Sequence, residues 1–273
     1  MITIIFWNIG KNRAVSPHLE CLVRNYEVDL FILAEVTRRV DLAALSSGLT
    51  KVGKGSFREV DNVRGKTVAI TRLDSKRLKH KFTGTNGYLS AWSLSSTKFP
   101  YKGVIVAGVH LRSKFGGLTA GDQSDYAKPI VSELRSLEDQ VRHSNTILLG
   151  DFNMNPYDHG MTSWAAMHGL MTTALASKAG HEHQSRRFYN PMWGLFGDRS
   201  PGPAGSFYWK NSAPHNPHWG IVDQVLVRPS IIPTLVGLEI LANDGTHALT
   251  KKDGTPDRSY LSDHLPVLAR FDL

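Results

Sequence analysis

Residues 146–156, TILLGDFNMNP, decide the fold. Thr146 to Leu149 read as a short apolar strand of the kind that sits at a sheet centre covered on both faces. The strand runs directly into Asp151, so a buried element ends in a carboxylate. Asp151 and Asn153 stand two positions apart, which lets both point into one site. A carboxylate and an amide so placed suit a hard metal, an attacking water or a phosphate oxygen. Asp, Asn and Pro are also common turn formers, and the same letters read as a turn.

The pattern recurs outward from this stretch. Ile2 to Trp7 is rich in β-branched and aromatic residues and ends at Asn8. Leu30 to Leu33 leads to Glu35, and Gly103 to Val109 leads to His110. Ile221 to Val227 carries Asp223, and Pro266 to Phe271 follows directly on Asp263 and His264. Further strands are expected at Thr67–Thr71, Tyr88–Leu94 and Thr234–Leu241. Helical spacing marks Pro17–Glu27, Asp122–Arg142 and the region around Trp164–Leu175. Residues 41–66 read as loop-like in places. Strands that end at one rim would gather the polar end residues into one cleft.

The chain has 273 residues, 41% of them hydrophobic and 21% charged, which fits one soluble globular domain, α/β or sandwich, spanning 1–273. Lys and Arg number 32 against 24 Asp and Glu, for a net charge of +8. That balance suits a polyanionic partner, or simply a solvated surface. The single cysteine, Cys21, reads as a packed core thiol and excludes an intrachain disulfide. The N-terminus shows no signal-peptide pattern and no run is long enough to span a bilayer, so the expectation is a cytoplasmic protein without stable membrane insertion. Residues at about 177–220 form a long irregular stretch rich in Gly, Pro, His, Arg and aromatics. Its histidines, His181 with His183 and His215 with His218, lack the accompanying cysteines of common zinc sites and read as loop residues.

Asp263 beside His264 makes a general-base arrangement only if a third group orients the ring. Asp223, a lone carboxylate among apolar strand residues, is costly unless paired and supplies that partner. Glu35 at a strand end suits Mg²⁺, although it also reads as an exposed acid before the basic pair Arg38–Arg39. His110 with Arg112 could hold a phosphate, and a lone strand-end histidine could equally be structural.

Taken in order along the chain, the set resembles the endonuclease/exonuclease/phosphatase superfamily. That group includes deoxyribonuclease I-like nucleases, apurinic/apyrimidinic endonucleases, neutral sphingomyelinases and inositol polyphosphate 5-phosphatases. GDFN at 150–153 and SDH at 262–264 carry the resemblance, with WN at 7–8, HL at 110–111 and DQV at 223–225 beside them. It implies a four-layer α/β sandwich of two packed mixed β-sheets flanked by helices. It also implies Glu35 as principal metal ligand with Asn8 beside it, and Asp263 as a second metal-site or water-orienting carboxylate. His264, held by Asp223, would ready the nucleophile, while Asp151 and Asn153 would position water and scissile phosphate. His110 matches the phosphate-binding histidine of the deoxyribonuclease I and sphingomyelinase branches. Ala34 stands where the superfamily often has Gln, and the Gly10-Lys11-Asn12 segment lacks an acidic residue, which favours one metal over two.

The resulting expectation is a Mg²⁺-dependent phosphodiesterase, with Mn²⁺ as a possible substitute, acting as a nuclease on DNA or RNA. Basic residues near the loops, at Arg38–Arg39, Arg64–Lys66, Arg112–Lys114 and Arg186–Arg187, support a nucleic-acid partner. Arg112, Arg186, Arg187, Tyr189 and Trp193 are the candidate substrate-binding residues, by phosphate contact and base stacking. The alternatives are a phosphatase or phosphodiesterase for a phospholipid or small phosphate ester, with PMWGLF at 191–196 as docking loop, and a binding module with a retired active site.

Overall fold

The computed structural model describes residues 1–38, 40–60, 65–114, 119–178, 186–211 and 217–273. Arg39, Arg64, His181, His183 and His215 lie outside the described residues. The first sheet contains β1 (Ile2–Asn8), β2 (Leu30–Ala34), β3 (Arg58–Val60), β4 (Thr67–Thr71), β14 (Leu235–Ile240) and β15 (Val267–Phe271), in the order β14-β15-β1-β2-β4-β3. The second contains β5 (Leu78–Thr83), β6 (Leu89–Leu94), β7 (Val104–His110), β8 (Thr146–Asp151), β9 (Gly169–Leu170), β10 (Phe188–Tyr189) and β13 (Asp223–Val227), in the order β5-β6-β7-β8-β13-β10-β9. A small ribbon, β11 (Phe207–Tyr208) with β12 (Trp219–Gly220), lies beside them.

Each large sheet is mixed and holds one parallel pair joined through a helix, and the second sheet also pairs β9 with β10 in parallel. β1 and β2 are parallel and are joined through α1 (Ser16–Tyr26). β7 and β8 are parallel and are joined through α3 (Ala120–Val141). A parallel pair needs a long crossover, and a helix supplies it. The two strand-helix-strand units aim the ends of β1 and β2, and of β7 and β8, in common directions.

Side-chain alternation then sorts the layers. Val106, Ile147, Leu149 and Val225 of the second sheet join the core with Phe6, Ile32 and Val267 of the first. Their neighbours Ile105, Ala107, Leu148 and Leu226 turn the other way and pack with Ile130, Val131, Leu134 and Leu137 of α3. α1 and α2 (Leu42–Val52) bury Leu19, Leu22, Leu45 and Leu49 with the first sheet. The expected four-layer sandwich of two mixed sheets between helices is therefore what the chain forms. The sheets come close at Gly108, where a Cβ would stand 2.8 Å from Ile32 and 2.9 Å from Thr67.

Three local readings change. Residues 42–52, within the segment read as loop-like in places, form a helix because the Asp41 side chain accepts from the N–H of Ala44 and caps it. The helix expected around Trp164–Leu175 is replaced by β9 and two short helices, α4 (His159–Thr162) and α5 (Thr173–Ser177). His168, at φ 50°, breaks the helical path, and β9 gains pairing to β10 instead. β5, at a sheet edge, escaped the reading because its sequence LKHKFT has little apolar alternation, as suits an exposed edge.

One buried ion pair ties α3 to the sheet. Arg228 donates from Nε and Nη2 to the two carboxylate oxygens of Glu138, at 2.8 Å each, and Thr146 donates to the same carboxylate at 2.7 Å. Arg228 is fully buried and its guanidinium lies 3.8 Å from the centre of the Phe188 ring. Glu138→Ala strands that cation and should lower the unfolding free energy by about 3–5 kcal/mol, read by urea denaturation. A loss below about 1 kcal/mol would contradict the pairing as described.

Candidate active site

Three adjacent strands of the second sheet end in step. His110 of β7 pairs in register with Asp151 of β8, and Asp151 with Asp223 of β13. By alternation, these residues share the strand face of Val106, Leu149 and Val225, which looks toward the first sheet. β1 brings Asn8 in from that first sheet, and Asn8 Nδ2 donates to Asp151 Oδ2 at 2.9 Å. Gly150, just before Asp151, has a positive φ that suits a residue without a side chain, and its lack of one makes room for β7. A Cβ at Gly150 would fall 2.0 Å from the carbonyl oxygen of Val109.

Asp151 is almost wholly buried, and its carboxylate is the hub. Oδ1 accepts from the backbone N–H of Asn153 at 2.8 Å. Oδ2 faces His110 Nε2 at 3.7 Å and His264 Nε2 at 4.0 Å. Burial is the main force raising the Asp151 pKa to about 7, with Asp223 adding to it and His264, Asn8 and the Asn153 N–H opposing.

His264 is oriented from both sides. Its Nδ1 donates to Asp223, 2.9 Å from Oδ2 and 3.1 Å from Oδ1, which turns Nε2 toward Asp151. Asp223 is fully buried. The backbone of His264 is held by Ser262 Oγ, which accepts from its N–H, and by Trp7 Nε1, which donates to its carbonyl at 3.0 Å. Ser262 Oγ in turn donates to the carbonyl of Asn8 at 2.6 Å. Phe207 covers the ring, with centroids 4.7 Å apart. Burial works against the imidazolium, but Asp223 and Asp151 outweigh it and bring the pKa to about 10. For His110, burial pulls the imidazole below its ordinary value and the His264 cation acts the same way, against Glu35.

Glu35 and Asp263 stand at the mouth. Glu35 sits just beyond β2 with a positive φ, an unusual conformation for a residue with a side chain. Its carboxylate lies 3.7 Å from His110 Nε2 and 3.8 Å from Lys11 Nζ. Both separations are beyond hydrogen-bond reach. Asp263 Oδ1 lies 3.9 Å from His264 Nε2, and the carboxylate is partly exposed. Asn8 keeps its amide oxygen on the Gly10 N–H at 3.0 Å. That leaves the oxygen one lone-pair direction. These oxygens are of the kind a hard divalent cation takes, and among the described residues Asp151, Asp223 and His264 also bring ligand atoms within 4.8 Å of one another.

Asn153, at φ 52°, donates to the carbonyl of Leu111 and lines a cavity of about 380 Å³. Lys114, Phe207, Trp209 and Trp219 line the same cavity. On the other side of His110, Arg112 donates to the hydroxyls of Tyr88 and Tyr126, and Lys66 sits 3.5 Å over the Tyr88 ring.

The structure thus brings Asn8, Glu35, His110, Asp151, Asn153, Asp223, Asp263 and His264 together, with Arg112 on the rim. It does not bring Arg186, Arg187 or Tyr189 there. Tyr189 pairs with Val227, at the opposite end of β13 from Asp223. Arg187 is buried and donates to the carbonyls of Leu175 and Lys178, and Arg186 pairs with Asp139 of α3. Trp193 packs near Tyr157, with rings 6.3 Å apart. Sequence reasoning missed Ser206, which is fully buried and accepts the N–H of Asp223, and it gave Ser262 no role. Ser206 lies in a Gly- and Pro-rich stretch whose letters carry no periodicity. Ser262 was legible as the first letter of SDH.

No protein-family model matches the sequence, and no curated protein matches it. Solved structures do. An AP endonuclease from Archaeoglobus fulgidus superposes with a TM-score of 0.61 at 15% identity, over 100% of both chains. The 3′ phosphatase NExo from Neisseria, bound to product DNA hairpin, gives 0.59 at 16%, again over 100% of both chains. An endonuclease/exonuclease/phosphatase family protein from Bacteroides thetaiotaomicron gives 0.56 at 13%, over 99% of this chain and 94% of that one. The chain has the deoxyribonuclease I-like fold that the motif order resembles.

The His264 environment sets a sign for pH dependence. Its folded pKa, about 10, lies above the ordinary 6.5, so its stabilisation is complete below pH 6.5 and is lost as pH rises through 10. In EDTA, the urea stability of the native chain should therefore fall between those values more steeply than that of His264→Gln. Parallel curves for the two proteins would refute it.

Proposed function

We propose that the chain is a divalent-metal-dependent phosphodiesterase acting on nucleic acid. The observation that carries this reading is the convergence of Asp151, His110 and His264 on one point without mutual hydrogen bonds, since these groups face one another across 3.7 and 4.0 Å. A reacting oxygen can be seated among such groups. Asp151, buried and fixed by Asn8, orients or deprotonates the attacking water. His264, held by Asp223, presents Nε2 to a phosphate oxygen, with His110 and Asn153 as further phosphate contacts. Glu35 and Asp263, with Asn8 beside them, would hold Mg²⁺. Charge neutralisation at the phosphate and the leaving oxygen is what the bound ion supplies.

Three features support nucleic acid as the polyanion. Lys66 and Arg112, with Tyr88 and Tyr126, form a basic and aromatic rim beside His110. The cavity beyond Asn153 offers Phe207, Trp209 and Trp219 as stacking faces with Lys114 at its edge. NExo, with the same fold, is bound to product DNA hairpin. Among the described residues no helix is long and apolar enough to cross a membrane. The segment 191–196 counts against a lipid surface: Met192 is fully buried, and Leu195 and Phe196 pack on the core.

A substrate panel with Mg²⁺, Mn²⁺ and EDTA tests the reading: supercoiled plasmid, linear duplex, single strands, RNA, sphingomyelin and phosphoinositides. Cleavage of lipid but of no nucleic acid would overturn the substrate assignment. Asp151→Asn and His264→Ala should each reduce turnover at least 1,000-fold, on the order of 4 kcal/mol, with an unchanged circular dichroism spectrum. Near-native turnover in either would sink the mechanism. Trp209→Ala should raise KM for single strands about tenfold, as loss of one stacking face implies, with kcat little changed.

A further inference from the structure

Away from the rim cluster, three potential ligands, His18, Asp244 and His247, meet between α1 and the loop after β14, with Cys21 beside one of them. His18 and Cys21 stand three apart on α1 and share a helix face. Asp244 and His247 stand three apart in residues 242–249. Asp244 has no solvent exposure, and its Oδ1 accepts the backbone N–H groups of Thr246 and His247 at 2.8 and 2.6 Å. That leaves Oδ2 for the imidazoles, with His18 Nδ1 at 2.7 Å and His247 Nδ1 at 3.3 Å. The ligand atoms of His18, Asp244 and His247 lie within 4.8 Å of one another. Cys21 Sγ lies 3.8 Å from His247 Nδ1 and is buried.

We propose that His18, Cys21, Asp244 and His247 form a binding site for a zinc-class divalent cation. Nitrogen and oxygen ligands about 2.0–2.2 Å from a tetrahedral ion, with sulfur at about 2.3 Å, stand roughly 3.3–3.6 Å from one another. The His247–Asp244 separation of 3.3 Å comes close to that pattern, whereas Cys21 Sγ, 3.8 Å from His247 Nδ1, stands outside the group of three and must turn inward to complete the set. The His18–Asp244 contact of 2.7 Å is a hydrogen bond. It must open by about 0.6 Å when an ion replaces the shared proton. Two imidazoles, a carboxylate and a thiolate select zinc over magnesium, which takes oxygen ligands and water.

The surrounding loop is already built to hold the ligands. Asp244 N–H donates to the His247 carbonyl, Leu249 N–H to that of Ala242, and Asn25 of α1 donates to the Asp244 carbonyl and to Thr246 Oγ1. Just before α1, Asn12 donates to the carbonyls of Tyr260 and Leu261, next to Ser262 and His264. A cation here would brace the turn out of β1 and the loop into β15, the two segments that carry Asn8 and His264. The role is structural and independent of the phosphodiesterase reading.

The test is a Co²⁺ titration of the full reduced chain in excess Mg²⁺, followed by visible absorption. The expected result is one equivalent with intense tetrahedral bands, a near-ultraviolet thiolate charge-transfer band, and displacement by Zn²⁺. Cys21→Ser should remove the charge-transfer band. His247→Ala, at an exposed side chain, should weaken binding at least tenfold without affecting folding. The absence of tetrahedral bands would overturn the site, as would their persistence in both His247→Ala and Asp244→Asn. Tetrahedral bands without thiolate character would overturn the four-ligand set.

Discussion

Asp151 is a carboxylate that the protein places where water barely reaches, at the meeting of three strands from one sheet and one from the other. An isolated charge there would be very costly. The solution is distributed: an amide from Asn8, a backbone N–H from Asn153, and an imidazolium from His264 that is itself anchored by Asp223. None of these can be supplied by Asp151's own strand. The Asn153 N–H is local, but the Asn8 amide and the His264 ring require both sheets to be packed in register, with Gly108 leaving room for Ile32 and Thr67 of the first sheet and Gly150 for the Val109 carbonyl of β7. A one-residue slip between β7 and β8 or between β8 and β13 would send His110 or Asp223 to the α3 side.

This dependence explains what was readable in the sequence. Each rim residue terminates an apolar run, and burial of that run forces its end to a defined place. Asp151, Asp223, Asn8 and His110 were legible because the strands before or after them are continuous hydrophobic letters. His264 was legible because it directly precedes such a run. Glu35 follows the same rule from β2, and its positive φ is a feature no letter announces.

What was not readable lies where side chains, rather than periodicity, decide position. Arg186 and Arg187 looked like phosphate ligands because they sit among aromatics. The structure uses Arg187 to hold backbone carbonyls and Arg186 to pair with α3, because the segment starting at Phe188 joins the second sheet away from the rim. Ser206 and Phe207 come from the same irregular stretch, yet reach His264 and Asp223 through backbone contacts to residues 220 and 264. Hydrogen bonds between segments tens of residues apart leave no local pattern. The α1 ligand cluster is hidden in the same way, since His18 and Asp244 are 226 positions apart.

The distribution of charge follows from the burial of the acids. Asp151 and Asp223 are inside, so an approaching phosphate would meet two carboxylates with no screening water. His264 offsets them at the hub, held cationic to about pH 10. At the mouth, Lys11 stands 3.8 Å from Glu35, and Lys66 and Arg112 occupy the rim beside His110. Positive charge is thus graded from the exposed rim inward to one buried imidazolium. On the proposed reading, that gradient would draw a polyanion to the cleft and would leave the acids for water and metal. Lys11, Lys66, Arg112 and His264 thus match Glu35, Asp151, Asp223 and Asp263 in number, a balance that would lower the cost of seating a phosphate beside buried acids.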